Sequence, residues 1–349
     1  MNSRIRPVVV ITPNPAIDVS YLVETLALGE TNRVAGVRKR PGGKGVNVAL
    51  ALQAIGVPTR SVLPLGGGAG DWMIASLAEA GLDAVAVPIA AETRTTVAVI
   101  EDHRHPTLLN EAGPVLTPDE WDAVIDRLRE TLTDASMLIV SGSLPPDAPA
   151  NTVGRFVAAA HDAGVPVLVD ASGPALLAAA RAGADILKPN EHELTEAVGI
   201  AEPSEAAAAL LAMARSGGAG PLSNASADAA LVSLPQLTGR LVVVSRGADG
   251  IVAFDDTDRI EIPAVRGVSG NPTGAGDAAT AGLAAALLDG DAIAVALRRA
   301  AALGAAAVLR PVAGEVDVDA YRAFLARPDS SPTPSRTTQH HAITGDALS

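Results

Sequence analysis

Short β-branched, apolar runs punctuate the chain at Val8–Ile11, Thr96–Ile100, Met137–Val140, Val165–Val169, Leu241–Val244 and Ile251–Phe254. Between many of them lie Ala/Leu-rich stretches with helical spacing, such as Val46–Ala54, Asp71–Ala80, Asp119–Leu132 and Asn151–Ala163. Strand alternating with helix predicts an α/β fold with a mostly parallel sheet covered on both faces. Leu138-Ile139-Val140 and Val167-Leu168-Val169 are apolar at every position, as strands buried on both faces require.

Two regions break this rhythm. Residues Ile17–Arg40 and Ala84–Glu111 alternate apolar and polar positions with short turns, and read as antiparallel strands of a small separate sheet. Residues 216–239 are rich in Gly, Ala, Ser and Asn and read as a surface insertion before the strand at Leu241. Residues 327–349 are rich in Pro, Ser and Thr and are expected to be disordered. No internal repeat is visible.

A length of 349 residues fits one large α/β domain with an excursion, or two smaller domains. Aromatic residues make up only 2%, so Ala, Val and Leu must fill the core. The formal charge of -13 argues against general nucleic-acid binding, although a few local cations can still hold a small anionic substrate. The chain has no cysteine, which excludes disulfides, thiolate catalysis and Cys-ligated zinc. Val8-Val9-Val10-Ile11 stops at Pro13, too short for a signal-peptide core or a membrane span. A soluble cytoplasmic protein is expected.

The strongest local signal is Asn271-Pro272-Thr273-Gly274-Ala275-Gly276-Asp277-Ala278, a glycine turn running into the helix Ala278–Leu288. Free amides at a helix start make an anion site. Asp277 in the first turn is either a helix cap or a reactive carboxylate. In the second role the helix dipole would keep it ionised at neutral pH and able to take a hydroxyl proton. Glycine turn, anion hole and carboxylate together suit phosphoryl transfer.

Pro41-Gly42-Gly43-Lys44-Gly45-Val46-Asn47 is a second glycine turn opening a helix. It is not a Walker A loop, because Gly45 follows Lys44. Lys44 and Asn47 lie one helical turn apart and could face one ligand. Asn14-Pro15-Ala16-Ile17-Asp18 follows the first strand, where Asp18 either holds hydroxyls or closes an Asx turn. In Lys188-Pro189-Asn190-Glu191-His192-Glu193, Asn190 and Glu193 could share a face toward a hydrated Mg²⁺, with His192 pointing elsewhere. Ser245-Arg246-Gly247-Ala248-Asp249-Gly250 has small residues fit to lie beside a nucleotide phosphate, and Ser141-Gly142-Ser143-Leu144-Pro145 follows another strand.

In this order, from about Val8 to Ala326, these motifs resemble the ribokinase-like (PfkB) family of carbohydrate kinases, and within it the 1-phosphofructokinase and tagatose-6-phosphate kinase branch. The resemblance implies a single domain, residues 1–326, folded as a Rossmann-like three-layer α/β/α sandwich with a β-sheet lid, which would be residues 17–40 and 84–111. It implies ATP and Mg²⁺, a small-molecule sugar-phosphate substrate and a homodimer through the lid. It makes Asp277 the base, with Gly274, Ala275 and Gly276 forming the anion hole. Asp18, Gly43, Lys44, Asn47, Arg94, Asn110 and Ser143 would line the sugar-phosphate site. Lys188, Ser245, Gly247 and Gly250 would flank the nucleotide, and Asn190 and Glu193 would order Mg²⁺ through water. The chain departs from the family at Gly270-Asn271-Pro272-Thr273, at His103-Arg104-His105-Pro106 and in residues 216–239.

The expected reaction is ATP-dependent phosphorylation of a ketohexose phosphate, fructose 1-phosphate first, with Lys44 and Arg94 holding the substrate phosphate. Tagatose 6-phosphate, fructose 6-phosphate, an unphosphorylated sugar or a nucleoside are the alternative acceptors. A sugar-phosphate-binding regulatory protein is the non-enzymatic alternative. A dinucleotide oxidoreductase is disfavoured, since Asn14-Pro15 stands where a G-x-G-x-x-G would follow the first strand.

Overall fold

The computed structural model describes residues 6–101, 106–217, 234, 237, 239–255, 258–327 and 333–334. In chain order the first half holds β1 (Val8–Ile11), β2 (Ala16–Leu22), β3 (Gly36–Gly42), α1 (Lys44–Ala54), β4 (Thr59–Leu65), α2 (Gly67–Glu79), β5 (Asp83–Pro88), β6 (Arg94–Ile100), β7 (Thr107–Asn110), α3 (Pro118–Leu132) and β8 (Met137–Ser141). There follow α4 (Thr152–Asp162), β9 (Val167–Asp170), α5 (Gly173–Arg181), β10 (Ile186–Leu187), α6 (Glu191–Val198), α7 (Pro203–Ser216) and β11 (Leu241–Ser245). The C-terminal part holds β12 (Ile251–Phe254), β13 (Arg259–Ile262), α8 (Ala275–Leu288), α9 (Ile293–Val308), α10 (Val318–Leu325) and β14 (Thr333–Pro334).

The large sheet runs β14-β13-β12-β11-β10-β9-β8-β1-β4-β5. It is parallel from β11 to β5, and its β12, β13 and β14 edge is antiparallel. Side-chain alternation along the central strands divides the interior in two. Val8, Val10, Ile139, Leu168 and Val243 pack with α1, α2, α8, α9 and α10 on one face. Val9, Ile11, Leu138, Val140, Val167, Val169, Val242 and Val244 pack with α3 to α7 on the other. This is the expected three-layer arrangement.

α8 is buried along almost its whole length by Ala, Gly and Leu. Its small side chains let α9 approach closely: a Cβ on Gly282 would come within 2.8 Å of the Arg299 carbonyl. At the start of α8, which carries Asp277, a Cβ on Gly304 of α9 would likewise come within 3.0 Å of the Ala275 carbonyl.

A second sheet of order β3-β2-β6-β7 stands apart from the first. Its composition differs from expectation in two ways. Residues 84–88 of the second expected lid segment lie in β5, which pairs parallel with β4 at the edge of the large sheet. β5 packs Ala84 and Ala86 against one face of the core and Val85 and Val87 against the other, so it belongs to the large sheet and the lid segment begins only at β6. Also, β2 and β6 pair in parallel, from Ala16↔Arg94 to Leu22↔Ile100. Both follow closely on parallel strands of the large sheet, β1 and β5, and so leave it in the same direction. The β2–β3 and β6–β7 pairs are antiparallel as expected.

His103, Arg104 and His105 lie outside the described residues, as do most of residues 216–239 and 327–349. Leu234 and Leu237 are described and are buried against the α8 side of the core, so that segment does not lie wholly on the surface. Among the described residues no single helix is long and apolar enough to cross a membrane.

Candidate active site

The carboxyl ends of β1, β8, β9, β10 and β11 open toward one edge of the sheet, where ligands bind in open α/β folds. Two cavities meet there. The larger, about 790 Å³, is mostly apolar and is lined by Ser245, Gly247, Gly250, Val265, Ala275, Gly276, Ala279, Ala301 and Gly304 among others. The smaller, about 400 Å³, is lined mainly by polar and charged residues and lies under the lid. It gathers Asp18, Gly43, Lys44, Asn47, Asn110, Lys188, Asn190, Glu193, Ser245, Gly274, Gly276 and Asp277 from distant parts of the chain. Asn190, Ser245 and Gly276 border both.

Glycine is required where α8 begins. Gly274 has φ 83°, and a Cβ there would lie 2.7 Å from that of Ala313. No side chain caps this helix, so first-turn amides are left without a partner inside it. Asp277 therefore does not act as a cap. It is 7% exposed, and its Oδ2 accepts from Asn47 Nδ2 at 2.8 Å. Burial, reinforced by nearby Asp170, pushes its pKa up to about 7, against the opposing pull of Asn47, Lys44 and Lys188. The sequence-based expectation is of a carboxylate kept ionised by the helix dipole; burial and Asp170 instead bring its titration close to neutrality. A base with a pKa near neutrality is well matched to proton transfer.

Asp170, at the end of β9, was not among the expected site residues. It is 3% exposed, and it lies 3.1 Å from Lys188 Nζ and 3.9 Å from Lys44 Nζ. Thr280 Oγ1 donates to it at 2.6 Å. Burial opposes its charge, but Lys188, Lys44 and Thr280 hold its pKa below the usual carboxylate value. Its only sequence signal is an acidic residue closing an otherwise apolar strand.

Lys44 Nζ donates to Glu193 Oε1 at 3.2 Å. Burial disfavours its charge, but Asp170, Glu193 and Asp277 outweigh that and raise its pKa. Lys188, expected beside the nucleotide, lines the polar cavity and pairs with Asp170. Asn190 and Glu193 form a reciprocal cap at the start of α6: Glu193 N donates to Asn190 Oδ1 at 2.8 Å, and Asn190 N donates to Glu193 Oε2 at 2.9 Å. Both Glu193 oxygens are thus already engaged. Among the described residues no three His, Asp or Glu side chains converge on one point. That geometry fits a metal reached through water at Asn190 and Glu193 rather than one caged by protein.

Arg94 and Ser143 do not line the polar cavity. Arg94, at the start of β6, donates to the Glu111 and Asn14 carbonyls at 2.8 and 2.9 Å. It fastens the loop after β1 to the chain that leaves β7. Burial lowers its pKa, but it remains a cation. Ser143 is exposed on the loop after β8. Asp18 accepts from Thr96 Oγ1 at 2.6 Å and lies 3.3 Å from Arg40. Arg40 was also missed, since a charged residue in an exposed strand gives no sequence signal of its own.

Residues 8–319 match the pfkB family carbohydrate kinase family. The chain belongs to that family. It is accordingly a phosphotransferase with an alcohol acceptor. Among solved structures, phosphofructokinase-2 from Escherichia coli in complex with potassium is 25% identical with a TM-score of 0.80, over 92% of this chain and 100% of that one. A protein named as a possible 1-phosphofructokinase from Thermotoga maritima is 22% identical with a TM-score of 0.78, over 95% and 99%. Arabidopsis thaliana ribokinase, complexed with ribose and ATP, is 22% identical with a TM-score of 0.69, over 93% and 100%. The last two show a shared fold.

Proposed function

We propose that this carbohydrate kinase moves the γ-phosphoryl group of ATP to a primary hydroxyl of a ketohexose phosphate, fructose 1-phosphate before tagatose 6-phosphate or fructose 6-phosphate. The observation that carries this is the position of Asp277: buried, with a pKa of about 7, in the polar cavity whose wall at Gly276 is shared with the apolar one. The apolar cavity suits a nucleoside, with Ser245, Gly247 and Gly250 beside its phosphates. The polar cavity suits a sugar, with Asp18 and Asn110 placed for hydroxyls.

In the proposed reaction Asp277 takes the proton of the acceptor hydroxyl as its oxygen attacks the γ-phosphorus. The bond to the β,γ-bridging oxygen breaks and ADP leaves. The turn at Gly274, Ala275 and Gly276 offers amides to the equatorial oxygens in transit. Lys44 stands between Glu193 and Asp170, a cation placed in the cavity to meet phosphate charge. Bound Mg²⁺, ordered through water by Asn190 and Glu193, would neutralise phosphate charge. The lid's edge strand β7 exposes Leu108 and Leu109 at 57% and 59%, which supports a homodimer that covers them. We place the protein in the cytoplasm, in keeping with its need for ATP.

A coupled ADP-release assay over the three phosphates, free fructose, tagatose, ribose and adenosine tests the proposal. Turnover with fructose 1-phosphate at the highest kcat/KM is expected. A higher value for an unphosphorylated acceptor would overturn the substrate class.

A further inference from the structure

Arg40 lies on β3 directly opposite Asp18 of β2, both strands of the lid. Its guanidinium meets three groups that belong to different parts of the site. One is Asp18 Oδ2, at 3.3 Å. Another is the carbonyl of Ala313, the residue against which Gly274 of the glycine turn is packed. The third is Asn47 Oδ1, to which Nη2 donates at 2.9 Å.

The third contact decides the orientation of a side chain that touches the base. A carboxamide has an acceptor end and a donor end. With Oδ1 held by Arg40, the amino end of Asn47 points at Asp277 and donates to it. In the opposite rotation Nδ2 would face a guanidinium that has only donors, and Oδ1 would face a carboxylate. Arg40 therefore permits one rotation and opposes the other. We propose that Arg40 is a positioning residue, turning the Asn47 carboxamide toward Asp277 and thereby tying the seating of the lid to the readiness of the base. This rests on the reading of Asp277 as base.

The hydrogen bond from Asn47 favours the ionised carboxylate of Asp277. The other charged groups facing Asp277 are Asp170 at the end of β9, Lys44 of α1 and Lys188 after β10. Glu193 of α6 and Asp18 and Arg40 of the lid complete the surroundings, joined to it through Lys44 and Asn47. None of the others takes hold of the Asn47 carboxamide in the way Arg40 does.

The test uses Arg40→Met, Arg40→Lys, Asn47→Ala and the Arg40→Met/Asn47→Ala double variant. Two readouts are taken: the pH profile of kcat/KM, and direct titration of the Asp277 carboxyl by carbon NMR, assigned by its loss in Asp277→Asn. Arg40→Met should raise the Asp277 pKa by about one unit and move the acid limb upward with it, a roughly tenfold loss of rate below the limb. Arg40→Lys, which keeps a donor for Oδ1, should lie closer to wild type. In the Asn47→Ala background, Arg40→Met should add nothing, because the group it orients is gone. An equal shift in that background would overturn the proposal, showing a bare charge effect of Arg40. An unmoved carboxyl with only a higher acceptor KM would also overturn it, making Arg40 a substrate ligand. A moved carboxyl with an unmoved acid limb would uphold the relay and sink Asp277 as base. Should Arg40→Met not fold, the Arg40→Lys and Asn47→Ala titrations still decide: no shift in Asn47→Ala rejects the relay.

Discussion

Thr280 lies one helical turn beyond Asp277 on α8, and its hydroxyl donates to Asp170 at 2.6 Å. One helix thus carries the candidate base and also holds the second buried carboxylate of the site in place. Asp170 is ionised because two lysines flank it, and Asp277 is the carboxylate left to titrate near neutrality. Placing two carboxylates in unlike surroundings separates their protonation states.

Asp277→Asn should lower kcat by about 10²- to 10⁴-fold while leaving acceptor KM nearly unchanged, as loss of a base acting in the transition state requires. Initial rates of ADP release measure this. Near-normal turnover would remove Asp277 from the chemistry.

Stability should respond to the same change in a pH-dependent way. The native Asp277 pKa lies above its ordinary value, 3.8 against about 7, so the folded state binds this proton more tightly than the unfolded chain does. Its cost to stability is absent below pH 3.8 and complete above about pH 7. Asp277→Asn should therefore be more stable than wild type at pH 8, by up to roughly 4 kcal/mol, and the gap should close toward pH 4. Melting curves across that range show whether it does.

Asp170→Ala would strip the buried Lys188 of its partner. Lys188 is 2% exposed, and an uncompensated buried cation costs about 3–5 kcal/mol. A large fall in melting temperature is expected, and the Asp170→Ala/Lys188→Met double variant, which removes the stranded charge, should recover part of it. A double variant no more stable than Asp170→Ala would point to packing instead of charge.

Arg94→Ala separates two roles. A direct ligand of the acceptor phosphate would raise KM for a phosphorylated sugar only. The bonds from Arg94 to the Asn14 and Glu111 carbonyls favour a different outcome, a KM increase for phosphorylated and free sugars alike as the loop before Asp18 loosens. Parallel assays with fructose 1-phosphate and fructose distinguish them.

The lid homodimer is checked by Leu108→Asp/Leu109→Asp. Both leucines are exposed on an edge strand, so the chain should still fold but elute and scatter light as a monomer. An unchanged mass would place the interface elsewhere, or show that none forms.

The layered architecture was legible because the central strands are apolar at every position, a pattern that fits strands buried on both faces. The lid was legible only in part. Asp83–Pro88 and Arg94–Ile100 are short strands close together in the chain, and their partners assign one to the large sheet and the other to the lid. Among site residues, Asp277, Lys44 and Asn47 stood out because glycine turns precede them. Asp170 and Arg40 stood in strands with no such punctuation, and their importance arises from what folding sets beside them. The titration of Asp277 follows the same rule: helix position is local and readable, whereas burial beside Asp170 is set by the fold.

The two cavities share Asn190, Ser245 and Gly276 as a common border, and at Gly276 that border carries no side chain. A single molecule joining a nucleoside to a ketose through a short phosphate tether could therefore occupy both at once. Such a bisubstrate compound would bind with the combined contacts of its halves while paying the cost of immobilisation only once.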